Sequence, residues 1–483
     1  MAEPNILFLM TDQQRWDAMS CSSDWVRTPN LDRIASEGVR FTRCITTTPI
    51  CVPARVTLAT GRYPHNNSVW TNVNYTLPPD GPSWMRVVRD CGYRTSLFGK
   101  THLHPHQGDL REKENLLHAY GLDDVDEIGG PRASAVVMSH MTARWSDRGL
   151  LEGYRADFAE RFANKPHVVR PSTLPLDEYA DVYVGQQAKR YLESYRRDEP
   201  WFCWVSFGGP HEPWDAPEPY ASMYEPTAMP KPVIRPEDDH PRPQGWLDFH
   251  MERSSPAFES TDAEDMRANY AGNVSLIDDQ IGEILDVIEE RGELSNTVVA
   301  FTSDHGEMNG DWGLIYKMNF LNGALRVPLI VRTPDTLAAG GGVENNDLVE
   351  NMDLGPTLVD LAGGELEHRQ FGRSLIPAIS GELHDEPHRE DALSEFRGEF
   401  MLMADRWKMA VNREGETYLL FDLHEDPDET RNLAGLTEYR AVEDELRLRM
   451  LERISKTQLK EPLPSVWCEV RDRLLAVKET SAN

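Results

Sequence analysis

The sequence predicts an α/β protein: a large, mostly parallel sheet with helices on both faces, followed by a smaller C-terminal subdomain with an antiparallel sheet and a helix. Three observations predict it. Short, largely apolar runs at residues 5–10, 201–207 and 297–302 lack polar alternation, as strands buried on both faces do, and 94–98 reads as a further strand. Helical patterns lie between them, and that alternation builds parallel sheets. Polar, chemistry-bearing residues follow the runs, where ligands sit in such folds: Asp12, Lys100, His211, Asp304 and His305.

The elements follow in order. Residues 5–10 form the first strand, ending in Thr11-Asp12-Gln13-Gln14. Thr28-Pro29-Asn30 opens a helix running to about Gly38, with Leu31, Ile34 and Ala35 on one face. Residues 83–90 form a helix closed by Gly92, and 94–98 a strand. The strand at 201–207 ends in Gly208-Gly209-Pro210-His211. Ile277, Ile281, Ile284, Leu285 and Ile288 mark a helix over 275–291, stopped by Gly292 and feeding the strand 297–302. A further strand covers 327–331. Two stretches, about 105–200 and 212–265, are rich in Pro, Asp, Glu and His with weak periodicity, and read as long insertions above the sheet that set substrate specificity. Residues 1–380 form the catalytic domain in this reading. Residues 381–483 form the subdomain, with strands at 400–410 and 417–422 and an amphipathic helix at 441–456.

Composition narrows the function. The 483 residues are 40% hydrophobic, ample for a large core, with a formal net charge of −30. Such a field repels nucleic acid and anionic lipid, so neither is an expected partner, and an anionic substrate needs a local basic cluster. The six cysteines are scattered with no CxxC pair, which fits reduced thiols in the cytoplasm. No secretory leader and no membrane span are recognisable. A homo-oligomer stays open.

Cys51-Val52-Pro53-Ala54-Arg55 is the most informative segment. Pro53 suits the first turn of a helix, whose free N–H groups face an anion beside residue 51, and Arg55 adds a fixed positive charge. Alone, CxPxR fits a structural cysteine equally well. Asp12 and Gln13 after one strand and Asp304 and His305 after another supply two carboxylates, an amide and an imidazole for a divalent cation. Lys100, His102, His104 and His106 follow a strand, where Gly99-Lys100-Thr101-His102 favours anion binding and proton transfer. Lys317, twelve residues beyond His305, reads by itself as an ordinary surface lysine and, beside these neighbours, as a second anion clamp. Trp145, Trp214 and Trp246 are read first as packing residues and second as an aromatic wall.

Together these segments resemble the type I sulfatases of the alkaline phosphatase superfamily, over most of the chain. The matching stretches are PNILFLMTDQ, TPNLDRIASEGVRFTRCITTTPICVPARVTLATGRYPH, FGKTH, TSDHGE with Lys317 and RVPLIVR, and LFDLHEDPDETRNLA. The resemblance implies an alkaline phosphatase-like α/β/α sandwich and hydrolysis of a small sulfate monoester. It implies that a formylglycine-generating enzyme, a separate partner, oxidises Cys51 to formylglycine. The hydrated aldehyde then attacks sulfur. By the same resemblance His211 protonates the leaving alcohol, His102 assists sulfate release, Arg55 steadies the nucleophile, and Lys100 and Lys317 hold sulfate oxygens. Asp12, Gln13, Asp304, His305 and residue 51 bind one cation, calcium by family default.

Gln13 and His305 depart from the commoner Asp and Asn and resemble the phosphonate monoester hydrolase and phosphodiesterase branch; choline sulfatases share the Gln. Asn72 falls where that branch contacts substrate, and a His ligand admits manganese or zinc. The alternative is therefore a phosphonate monoester or phosphate diester hydrolase on the same site. A non-catalytic binder of sulfated ligands has no need of the nucleophile.

Overall fold

Residues 3–164, 168–235, 258–382 and 386–459 are described by the computed structural model. Its principal elements are β1 (Asn5–Asp12), α1 (Pro29–Glu37), β2 (Val39–Ile45), α2 (Cys51–Thr60), α3 (Trp84–Asp90), β3 (Arg94–Gly99) and β4 (Asp124–Glu127). α4 (Ala180–Ser194), β5 (Trp201–Pro210), α5 (Ser260–Glu290), β6 (Thr297–Ser303), β7 (Arg326–Val327), β8 (Leu329–Arg332), β9 (Val343–Glu350) and α6 (Leu354–Leu361) follow. The chain then forms β10 (Asp391–Phe396), β11 (Glu399–Ala404), β12 (Trp407–Val411), β13 (Thr417–Asp422) and α7 (Arg440–Lys456).

Strands β1 to β9 form one sheet in the order β4-β3-β5-β1-β6-β8-β2, with β7 and β9 also paired to β2. β4, β3, β5, β1 and β6 are mutually parallel, and β8 runs against them. β1 lies between β5 and β6, so its side chains alternate between two covered faces. Leu7 and Leu9 join Val205, Val299 and Phe301 on one face, under Leu31 and Ile34 of α1, Val184 and Ala188 of α4, and Ile277 and Ile281 of α5. Ile6, Phe8 and Met10 join Trp204 and Ala300 on the other, under Val56 and Ala59 of α2, Trp84 and Val88 of α3, and Leu358 of α6. This is the α/β/α sandwich the sequence predicts.

The region 105–200 is corrected. It is largely part of the sandwich: β4 is the sheet's edge strand and α4 packs against β5. Its helical period is masked because Gln186, Gln187, Lys189 and Arg190 cover the outer face. α5 begins fifteen residues before the predicted start, and Tyr270 and Asn273 in that added part are buried. Of 212–265, residues 236–257, including Trp246, lie outside the described residues, as does Cys468. Trp145 and Trp214 are fully buried packing residues. The five described cysteines are free thiols. No helix among the described residues is long and apolar enough to cross a membrane.

At the C-terminal end, 400–410 is two strands rather than one: β11 and β12 fold back at Asp405-Arg406, and β10 adds a strand the sequence did not show. One face of this antiparallel sheet packs on Ile45, Ile50 and Phe320; the other packs on Leu446 and Met450 of α7. Buried ionic contacts tie it to the large sheet. Arg389 pairs with Asp353, and Arg453 Nη2 lies 3.0 Å from Glu350 Oε1.

Candidate active site

The site is built where β1, β3, β5 and β6 end together. β3 can turn outward only at a glycine: Gly99 sits at φ +116°, and a Cβ there would collide with the Ser206 carbonyl. That turn aims Lys100 back at β1. β1 and β6 pair through Thr11 and Ser303, so Asp12 and Asp304 emerge side by side. The sheet's opposite face carries α2, buried along its whole length with Cys51 at its first position. Val52 N donates to Asn72 Oδ1 at 2.9 Å, which satisfies one free N–H of that first turn.

Arg55, fully buried, organises the floor. Its Nε lies 2.7 Å from Asp304 Oδ2 and its Nη2 3.2 Å from Asp12 Oδ2. Nη1 donates to the Lys100 carbonyl at 2.7 Å and to Ser206 Oγ at 2.9 Å. Lys100 Nζ pairs with Asp12. The Cys51 sulfur lies 3.0 Å from His305 Nε2 and 4.0 Å from Asp12 Oδ1, and also hydrogen-bonds His102. On the far wall, Lys317 Nζ lies 2.9 Å from His211 Nε2 and donates to Gln13 Oε1.

Electrostatics follow from this crowding. Burial opposes ionisation of the Cys51 thiol, but Lys317, Lys100 and His305 outweigh it and hold it well below the ordinary thiol range. Burial and Cys51 likewise push Asp12 up, yet Lys100, His211 and Arg55 keep it ionised. Burial disfavours a charged His305, but Asp304 lifts it to about 9. His102 is pushed well down by burial and then by Lys100, so its ring is neutral and able to take a proton. In a chain of net charge −30, Arg55, Lys100 and Lys317 make the local basic cluster that an anionic substrate needs.

A cation fits here. Donor atoms of Asp12, Cys51, Asp304 and His305 all lie within 4.8 Å of one another and are buried. His305 Nδ1 lies 3.0 Å from the Gly306 carbonyl, which only accepts; Nδ1 therefore keeps its hydrogen, and a cation would displace the proton on Nε2 to take up that lone pair. Gln13 stands beside it with its backbone N–H on Asp304 Oδ1 at 3.0 Å, while Lys317 holds its amide oxygen.

All ten candidate residues around Cys51, and Asn72 on the α2 cap, thus fall in one region. Three further residues come with them. Glu212 Oε2 accepts from Gln13 Nε2 at 2.7 Å and its other oxygen pairs with Arg132; Arg132 holds it down to about 2 despite its burial. Glu307 also accepts from Gln13. Glu307 stands within TSDHGE and Glu212 follows His211, but no spacing rule marks either as a partner of Gln13.

Comparison with known proteins agrees with this geometry. The family model "Sulfatase" matches residues 4–364, and "N-sulphoglucosamine sulphohydrolase, C-terminal" matches 310–456. The chain is 28% identical to the multifunctional alkaline phosphatase superfamily protein PehA of Trinickia caryophylli, covering 92% of this chain and 93% of that one. It is 28% identical to an arylsulfatase of Clostridium perfringens, over 92% and 93%. The crystal structure of the phosphonate monoester hydrolase of Agrobacterium radiobacter superposes with a TM-score of 0.76 at 26% identity, covering 94% and 96% of the two chains.

Proposed function

Since the chain belongs to the sulfatase family of the alkaline phosphatase superfamily, we propose that this sulfuric ester hydrolase cleaves a small sulfate monoester with residue 51, converted from Cys to formylglycine, as its nucleophile. The observation that carries the reading is the setting of Cys51. It is a buried helix-first residue whose sulfur faces His305, His102 and Asp12 and whose field is set by Lys317 and Lys100.

Formylglycine supplies, in its hydrated form, a hydroxyl that attacks sulfur. Asp12, Asp304 and His305, with Gln13 adjacent, would hold a divalent cation that lowers the pKa of that hydroxyl and draws charge from a sulfate oxygen. The chain's own groups do the rest. Lys100 and Lys317 flank residue 51 from two walls and bind sulfate oxygens, where they offset the charge that grows there. Arg55 fixes both carboxylates, so the site changes little as charge develops. His211 Nδ1 faces the Glu212 carbonyl at 2.7 Å and therefore carries hydrogen, leaving Nε2 toward Lys317. A proton taken up at Nε2 is placed to pass to the leaving oxygen. Neutral His102, on residue 51, takes the proton whose removal releases sulfate.

Intact-protein mass spectrometry tests the nucleophile: residue 51 should have lost sulfur and gained oxygen, and Cys51→Ala should fold but not turn over. Undiminished activity in Cys51→Ala refutes the reading. The alternative, a phosphonate monoester hydrolase, is favoured by His305 standing on residue 51 and by the Agrobacterium radiobacter structure. Comparing rates on an aryl sulfate and an aryl phosphonate monoester with one preparation decides between them.

A further inference from the structure

The His-rich loop after β3 holds a second buried cluster that the proposed reaction does not use. His104 and His106 converge on Glu127, the last residue of β4. The His104 ring is completely buried, and His106 and Glu127 are 3% and 2% exposed. His104 Nε2 lies 2.7 Å from Glu127 Oε2 and His106 Nε2 3.1 Å from Oε1. All three ligand atoms lie within 4.8 Å of one another.

We propose that His104, His106 and Glu127 bind a second divalent metal ion, of the zinc class and separate from the cation held around Asp304. The tautomers carry the argument. His104 Nδ1 faces the Pro105 carbonyl and His106 Nδ1 the Gly129 carbonyl, each at 3.2 Å. A carbonyl oxygen only accepts, so each Nδ1 bears a hydrogen, and a ring that holds no second proton presents its lone pair at Nε2 toward Glu127. The backbone N–H of His102, 3.4 Å from His106 Nε2, points at the same lone pair. In that neutral state two lone pairs face a carboxylate whose Oε1 already accepts from Thr101 Oγ1. Acceptors buried against acceptors require something positive between them.

A metal ion meets that requirement in the usual way, with ring N–H groups on backbone carbonyls fixing the ligand nitrogens. Ligand atoms ~2.0–2.1 Å from a tetrahedral ion stand ~3.3 Å apart; the two nitrogen–oxygen separations here are 2.7 and 3.1 Å, and one atom from each residue falls within 4.8 Å of the others. Two imidazoles and one carboxylate suit zinc or a neighbouring transition metal better than calcium. The competing arrangement protonates both rings. It sets two imidazolium rings, their centroids 5.5 Å apart, on one buried carboxylate. The metal would clamp the loop bearing Lys100 and His102 to the end of β4, so it acts by positioning.

The test is metal stoichiometry on the full-length protein, stripped with chelator and titrated with Zn2+, and with Co2+ as a visible probe. Wild type should bind two equivalents, and His104→Ala and Glu127→Gln one each. Asp304→Asn, which leaves the trio whole, should keep one zinc, with two imidazoles in its X-ray absorption shell. Equal stoichiometry in wild type and both trio variants overturns the proposal. So does zinc-free Asp304→Asn protein, which would make the trio a proton-sharing pair.

Discussion

Arg55→Ala is the most informative single change, because four buried partners depend on that one side chain. Asp304 loses its 2.7 Å ion pair, Asp12 keeps Lys100 and, at 4.0 Å, His305 as cationic partners, and the Lys100 carbonyl and Ser206 Oγ lose donors at 2.7 and 2.9 Å. Removing one partner of a buried pair costs about 3–5 kcal/mol, because the other charge stays buried. Each newly unsatisfied neutral group adds about 1–3 kcal/mol before water relieves it. With water relieving the two neutral groups to about 1 kcal/mol together, a loss of ~4–6 kcal/mol in chelator follows. At ~2.1 cal/mol/K per residue, 483 residues carry an unfolding entropy of ~1 kcal/mol/K, so Tm should fall by ~4–6 °C. Added divalent cation should recover part of that loss, since it supplies positive charge to the same carboxylates. Arg55→Lys should fall between the two, keeping the charge but not the fork. Scanning calorimetry of the three proteins, with chelator and with cation, measures this. A drop under ~1 °C in Arg55→Ala, or a drop that cation does not diminish, refutes the account of Arg55 as the shared counter-charge.

His211→Ala should slow alkyl sulfates by ~10²–10⁴-fold while slowing nitrophenyl sulfate far less, as loss of a proton donor does. His102→Ala should slow both alike and accumulate a sulfated residue 51 visible by mass; identical leaving-group dependence in the two variants sinks the division of roles. Asp304→Ala should abolish the calorimetric binding event of the cation held by Asp12, Asp304 and His305 while leaving any binding at the His104–His106–Glu127 trio; an unchanged event at the first site would remove Asp304 from the ligand set. Asp181, which accepts from Gly208 N and Gly209 N at 2.8 and 3.0 Å, is raised by burial to about 6. Its native carboxyl holds a proton more firmly than the unfolded one. Its contribution is therefore full below about pH 4 and is lost as pH rises through 6, at up to ~1.4 kcal/mol per pH unit. Asp181→Asn should flatten that part of the Tm–pH curve, and a curve parallel to wild type would show that Asp181 does not titrate there.

Much of the fold is legible where burial is two-sided. The run at 5–10 declares itself because β1 has strands on both sides and helices on both faces, leaving no room for polar alternation. β4 does not, because Asp-Val-Asp-Glu at a sheet edge looks like any acidic loop. The 105–200 region misleads for a related reason: α4 is covered on one side only, and its solvent face carries the Gln, Lys and Arg of an ordinary surface. Among site residues, Asp12, Cys51, Lys100, Asp304 and His305 are readable because each follows an element end. Glu212 and Glu307 are not, because their role is to hold the Gln13 amide across gaps of 199 and 294 residues. No local pattern encodes a long-range partner of that kind.

The complete burial of α2 sets a schedule for its own chemistry. Cys51, Pro53 and Arg55 offer no surface to a modifying enzyme once the sheet has closed over them. The conversion proposed for residue 51 must therefore happen on an open chain. The partners that bury α2 include Met10 of β1, already made, but also Ala300 and Leu358, which follow Cys51 by about 250–300 residues. At ~5–20 residues per second that delay is ~12–60 s. Translation speed thus becomes a variable of the enzyme's activation: slow synthesis lengthens the interval in which Cys51 can be read, and early collapse traps an inactive thiol form that no later encounter can rescue without unfolding.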